Sequence, residues 1–158
     1  RDRYEHGLTK LAFVGSIHFY SSIMDRYCGF SKAVLEHRDV TPAEWILEDR
    51  DERGQIEIHL PEQMPEAFVC NCDLTAGLLM LELEKRGISV PEDVSIVGFD
   101  NYLYPGFPDL KITSYEINTK AMVKVALEKA LKQIRGAASG KNMEIVSGQL
   151  VLKESVKL

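Results

Sequence analysis

The chain has 158 residues, 45% hydrophobic and 27% charged, with 19 Lys and Arg against 24 Asp and Glu for a net charge of −5. That is the length of about one domain and the composition of an ordinary globular protein, with a core large enough to fold without staples, rather than of a disordered chain. The acidic balance argues against a general binder of phosphate backbones, and no apolar run reaches the roughly 18 residues of a membrane span.

In chain order, Lys10-Leu11-Ala12-Phe13-Val14-Gly15 is a short apolar run closed by glycine and serine. It has the length and content of a buried strand. A helix is predicted from Ser22 to His37, with Ile23, Tyr27, Phe30, Val34 and His37 on one stripe. Glu44-Trp45-Ile46-Leu47 is a weaker strand, with Trp45 as core or rim packing. Ala67-Phe68-Val69-Cys70-Asn71 is another strand. A helix follows over Leu74–Arg86, with Asp73 as N-cap and Gly87 as the stop. This helix is apolar over a wide arc, which suits burial by the sheet on one side and by a second chain on another. Val94-Ser95-Ile96-Val97-Gly98-Phe99 is the next strand, ended by Asp100-Asn101. From Thr119 to Arg135, Val123, Ala126, Leu127, Ala130, Leu131 and Ile134 follow the i, i+3, i+4, i+7 pattern, with Gly136 as the stop. Residues 137–142 read as a connector, and Glu144–Lys153 as a last strand. Strands alternating with helices predict an α/β domain, a Rossmann-like parallel sheet with helices on both faces.

In such a sheet ligands bind beyond the carboxyl ends of the strands. Here those ends carry Ser16-Ile17-His18, Asn71-Cys72-Asp73 and Phe99-Asp100-Asn101, with Arg26 near the start of the first helix. Carboxylates, a guanidinium and an aromatic on one rim suit a polyhydroxylated ligand. Plainer roles stand beside that one. Asp73 can be a cap, Asp100-Asn101 a turn, and Arg26 a surface ion pair. Cys70-x-Cys72 is neither a zinc nor a redox spacing, the four histidines match no metal motif, and no phosphate loop or nucleophile elbow is present, so no cofactor, metal or catalytic residue is expected. The three cysteines, Cys28, Cys70 and Cys72, show no disulfide framework, so a reducing compartment is expected. No charged and then apolar leader stands at the start. The chain opens at Arg1 rather than Met, as a processed product or a piece of something longer does.

Val90-Pro91-Glu92-Asp93-Val94-Ser95-Ile96-Val97-Gly98-Phe99-Asp100-Asn101 closely resembles a signature of the LacI/GalR (lactose-repressor/galactose-repressor) family of bacterial transcription regulators. Further matches follow in the family's order: His6 to Gly15; Asp25 to Phe30, similar to "x-R-x-x-G-F"; Met64 to Ala76; Leu110 to Tyr115; and Leu152 to Ser155. The resemblance implies a type I periplasmic-binding-protein-like fold of two α/β subdomains, with a small-molecule effector, a sugar or related metabolite, in the cleft between them. It implies a cytoplasmic homodimer that is not an enzyme and reads operator DNA through an N-terminal helix-turn-helix.

By motif, Arg26 and Asp100 match the family's effector contacts, with Phe99, Asp73, Cys72 and His18 beside them. Cys72 departs from the family, whose asparagine stands there; a thiol is a weaker hydrogen-bond partner, and the side chain of Asn71 should leave the strand on the opposite face. The implied organisation is residues 1–116 as one subdomain, 117–153 as a helix and strand of the other, and 154–158 as a tail, with no DNA-binding domain in the chain. Left alone, the helix from Thr119 is expected to be disordered, to fold back or to pair by swapping. Leu78, Met80 and Leu81 are the expected dimer contacts. The rival of the same fold is the sugar-binding receptor of a transport system; a receiver or a flavodoxin lacks its paired acids or phosphate loop here.

Overall fold

The structure, a computed structural model, describes residues 8–37, 46–106, 111–136 and 143–157. Strand β1 (Leu11–Val14) leads into helix α1 (Ser21–Glu36); β2 (Ile46–Leu47) and β3 (Ala67–Cys70) follow, then α2 (Asp73–Lys85), β4 (Ser95–Asp100), β5 (Thr113–Glu116), α3 (Thr119–Ile134) and β6 (Gln149–Val151). One sheet holds them in the order β2-β1-β3-β4-β5-β6. The pairs from β2 through β5 are parallel, and β6 runs antiparallel to β5.

Alternation along the strands divides the core into two layers. Ala12, Val14, Phe68, Cys70 and Ile96 turn to one face, where Ala76, Leu79 and Leu83 of α2 cover them. Phe13 turns to the other and meets Ile23, Phe30 and Val34 of α1. The stripe read for α1 is therefore its buried face, except that His37 ends the helix as an exposed C-cap. Helix α2 stops where Gly87 takes φ +71°; its N–H donates to the Glu84 carbonyl and that of Ile88 to Leu83, which closes the last turn.

Several boundaries differ from the sequence reading. Only Ile46–Leu47 of the second strand falls among the described residues as strand; Glu44, Trp45, residues 137–142 and the first residues of two matching motifs, His6 and Leu110, lie outside them. The strand expected over Glu144–Lys153 is confined to Gln149–Val151 and pairs with β5 of this sheet, although that stretch had been assigned to another lobe. Strand β5 was not read as a strand because Thr-Ser-Tyr-Glu carries no apolar run; its first two residues are nonetheless buried. Ser155 closes this edge: it is 3% exposed, accepts the Thr113 N–H and donates to the Ile96 carbonyl. Helix α3 is helical over Thr119–Ile134, capped by the Asn118 side chain on the Ala121 N–H, and buries none of its residues.

Candidate functional site

The carboxyl ends of β2, β1, β3, β4 and β5 form one rim, and its framework is a buried carboxylate that the sequence reading missed. Asp49, just past β2, is 0% exposed. Its Oδ1 accepts the Ser16 N–H at 2.8 Å, and its Oδ2 accepts the Asn71 side-chain amide and the Thr75 hydroxyl at 2.9 Å each. One side chain thus ties the loop after β1, the end of β3 and the first turn of α2. The only signal in the sequence was an acid two residues beyond a short apolar pair, within a stretch of charges that looks solvated. The expected opposite-face departure of Asn71 is what brings it to Asp49.

Arg26, on the second turn of α1, reaches across this rim. Its Nη1 donates to the Asn71 carbonyl at 2.6 Å, its Nη2 lies 3.5 Å from Asp100 Oδ1, and its guanidinium carbon sits 3.9 Å from the centroid of the Phe99 ring. Phe99 stacks in turn on Tyr115 at 5.3 Å. Three of the residues singled out in the sequence therefore meet. Burial pushes the Asp100 carboxyl above its ordinary value, against the opposing pull of Arg26 and of a hydrogen bond from the Tyr104 hydroxyl. The net direction is upward because withdrawing the carboxylate, 18% exposed, from water outweighs one guanidinium at 3.5 Å. Burial also pushes the Tyr104 phenol up to about 12, aided by the neighbouring Cys72, Asp100 and Asp73.

Asp100 and Asn101 both have positive φ, 104° and 51°. Two such residues in succession fold the chain back over the strand end, and side chains hold it there. Asn101 N–H donates to Ser114 Oγ at 2.9 Å, and its side-chain amide donates to Glu116 at 3.1 Å. Asp73 completes the clasp. It is not the N-cap of α2; Cys72 holds that position, and Asp73 is the first helical residue. Its carboxylate turns to the sheet instead, accepting the Ser114 hydroxyl at 2.7 Å and the Tyr102 N–H at 2.9 Å. Burial pushes its carboxyl up despite these donors. Cys72 is partly buried, with its sulfur 3.4 Å from the Thr75 hydroxyl. His18 is exposed in the turn after β1, away from the contacts that join Arg26, Phe99 and Asp100.

A groove of about 430 Å³ lies beside β5 and β6 at the start of α3. It is lined by Glu116, Asn118, Lys120, Ser147 and Gln149 among others, and by none of Arg26, Phe99 or Asp100. On α2, Leu81 is 38% exposed, and Leu78 is half-buried beside Ile56 and Ile58 in a shallow groove. Met80, expected beside them, packs partly buried against the core.

A parallel sheet with a guanidinium, carboxylate and aromatic ring gathered past its carboxyl ends is a ligand-binding α/β domain. The match to a family model, the periplasmic binding protein-like domain, runs over residues 3–156, and the chain belongs to that family. Among curated relatives, the HTH-type transcriptional repressor PurR of Vibrio vulnificus (strain CMCP6) is 27% identical over 158 residues, covering 97% of this chain and 47% of the relative. The arabinose metabolism transcriptional repressor of Geobacillus stearothermophilus is 29% identical over 144 residues, covering 85% of this chain and 40% of the relative. The chain thus spans less than half the length of either. A solved periplasmic binding protein/LacI transcriptional regulator from Alkaliphilus metalliredigens QYMF, complexed with D-xylulofuranose, superposes with a TM-score of 0.73 at 22% identity, covering 98% of this chain and 59% of that one. The resemblance read from the Val90–Asn101 signature agrees with these matches, as does the fold class.

Proposed function

We propose that this chain is the C-terminal part of the effector-binding domain of a LacI-type transcription regulator, a cytoplasmic protein that is not an enzyme and whose effector is a sugar or related small metabolite. The observation that carries this reading is the Arg26–Phe99–Asp100 assembly: a guanidinium lying on an aromatic ring and aimed at a carboxylate, on the rim where α/β sheets take ligands. Arg26 donates to the hydroxyls of the effector, Asp100 accepts from them, and Phe99 holds the guanidinium flat beneath it. Cys72 and His18 border the site. Asp73 supports it from behind, since both its oxygens are taken by Ser114 and Tyr102.

The second wall of the cleft comes from the other lobe, to which α3 belongs. The groove beside β5 and β6 lies on the path between the two lobes, where closure around an effector alters their angle and so the placement of two DNA-reading heads. Leu78 and Leu81 serve the homodimer.

The test is made on the full-length protein. Its operator is selected from random DNA, and sugars and related metabolites are screened for those that change operator affinity. Arg26→Ala and Asp100→Ala are expected to abolish the response while leaving DNA affinity in the absence of effector intact. A protein that binds sugar and no DNA is a transport receptor, and the regulator reading falls. Variants that respond as the wild type does remove the two residues from the site.

A further inference from the structure

We propose that Arg50 is a second ligand-binding guanidinium on this rim, and that the effector carries an oxyanion, a phosphate or carboxylate, which Arg50 holds. The proposal rests on the reading of the rim as the effector site and names the chemical class that site takes.

The two rim guanidiniums differ in what they leave unpaired. Arg26 has its charge facing Asp100 and a short hydrogen bond to the Asn71 carbonyl. Arg50 lies three residues past β2, with its side chain only 18% exposed. Its Nη1 donates to the Gly54 carbonyl at 3.0 Å. Its Nε is buried with no hydrogen-bond partner, and among the described residues Nη2 makes no hydrogen bond. The nearest carboxylate oxygen, Asp49 Oδ1, is 3.8 Å from Nε. That distance is beyond hydrogen bonding, and Asp49 is already satisfied by three neutral donors. A guanidinium largely withdrawn from water without a hydrogen-bonded counter-charge is costly, and an arriving anion removes that cost.

The geometry fixes where the anion sits. Nε is the nitrogen nearest Asp49, so the opposite, terminal edge with Nη2 is the one left for the anion. Such an edge grips two oxygens of one carboxylate or phosphate. Phe19 and Tyr20, exposed by 44% and 56%, stand beside it, 5.1 and 5.8 Å from the guanidinium carbon to their ring centroids. Their exposed rings offer an apolar surface to a ligand held beside that charge. The turn is shaped for this: Gly54 takes φ +77°, and a Cβ there would stand 2.6 Å from the Phe19 ring. Helix α1 begins next to the pair with no side-chain cap and no acid in its first turn, so its positive end adds to the field of Arg50. The strand order β2-β1-β3-β4 separates the end of β2 from that of β4 by three inter-strand steps, roughly 14 Å. The ligand is therefore extended, with hydroxyls at Arg26 and Asp100 and a charged end at Arg50.

The probes are inorganic phosphate and D-gluconate, each titrated to about 20 mM at constant ionic strength into isotope-labelled full-length protein, with D-glucose as the neutral control. The reporter is the Arg50 Nε–H resonance, assigned by its loss in Arg50→Gln. We expect it to shift saturably with phosphate, gluconate or both, and to stay in place with glucose. A response to phosphate alone selects a phosphorylated effector, and one to gluconate alone selects a sugar acid. Calorimetry of the responding anion is expected to weaken about ten-fold in Arg50→Gln and less in Arg50→Lys, which keeps the charge. A resonance unmoved by both anions overturns the proposal. So does calorimetric binding of unchanged strength in Arg50→Gln, which marks an adventitious ion only. Failure of the effector reading shows elsewhere: the Arg26 resonance then stays still with every hydroxylated ligand while Arg50 responds to anions.

Discussion

Gly98 leaves the space that the Asp73 carboxylate occupies: a Cβ built on Gly98 would stand 2.0 Å from Asp73 Oδ1. This contact joins the middle of β4 to the first residue of α2, and through Asp73 to Ser114 and Tyr102 on either side of the site. The glycine of the "V-G-F" signature is therefore a packing requirement beneath the binding rim. Its φ is not in the left-handed region.

Gly98→Ala is expected to drive Asp73 off its partners and destabilise the protein by about 1–3 kcal/mol, the usual range for overpacking. Chemical denaturation reads the loss. The pair Gly98→Ala with Asp73→Ala is expected to lose less than the sum of the two single changes, because the second relieves the clash created by the first. Additive losses would mean that the clash is absorbed elsewhere.

Asp49→Ala leaves the Ser16 N–H, the Asn71 amide and the Thr75 hydroxyl without an acceptor in a buried place. An uncompensated buried donor costs about 1–3 kcal/mol, so the loss is expected to be about 3 kcal/mol or more. Asp49→Asn keeps one oxygen and is expected to lose less. Equilibrium unfolding of the two variants against the wild type checks the order.

Much of the fold was legible because buried strands and amphipathic helices leave periodic apolar patterns. β1 and β3 fall inside the runs read for them, β4 runs one residue past its own to Asp100, and α1, α2 and α3 start within a residue of their expected places. Arg26, Phe99 and Asp100 could be nominated because strand ends and the following helix carry them to one rim. Long-range polar closure was not legible. Asp49 and Ser155 act on partners 22 to 33 and 42 to 59 residues away, respectively, and no local period records that. Asp73 has the composition of a cap, and only the neighbouring Gly98, known from the fold, explains why its carboxylate faces the sheet.

The Arg26–Asp100 pair carries a pH signature. Burial lifts the Asp100 carboxyl above 3.8, and Arg26 opposes that lift. A carboxyl raised on folding binds its proton more tightly in the native state. Its cost to stability is thus present in full above the folded value and relieved as pH falls toward the unfolded one. Arg26→Gln removes the opposing charge and is expected to raise the Asp100 midpoint further, followed by carbon NMR of the aspartate carboxyls. Effector affinity that needs the Asp100 anion is expected to fall as pH drops through that midpoint. An Asp100 midpoint unchanged in Arg26→Gln would show that the two charges do not interact.

The outward face of α2 is suited to a homodimer. Leu78→Lys and Leu81→Lys are expected to dissociate it in sedimentation with little loss of monomer stability, since both side chains already lie outside the core cluster. Met80→Lys is a poor probe because Met80 packs on the core, so its effect would mix unfolding with dissociation.

Helix α3 sets the last expectation. Val123, Leu127, Leu131 and Ile134 lie on one face and are 60%, 57%, 40% and 81% exposed. Covering side chains of this kind fully is worth about 1.5–3 kcal/mol each, which no neighbour among the described residues supplies. A helix of 16 residues without such cover is marginal in water. The ion pair of Lys129 with Glu144 at 3.5 Å adds little at the surface. Amide exchange over Thr119–Ile134 is therefore expected to be fast in the isolated chain, while β1, β3 and β4 stay protected. If the second lobe proposed above covers the apolar face in the full-length protein, the same amides slow there by at least a hundred-fold, about 2.7 kcal/mol of added protection. Equal exchange of α3 in the two proteins would place its cover elsewhere and separate it from the second lobe.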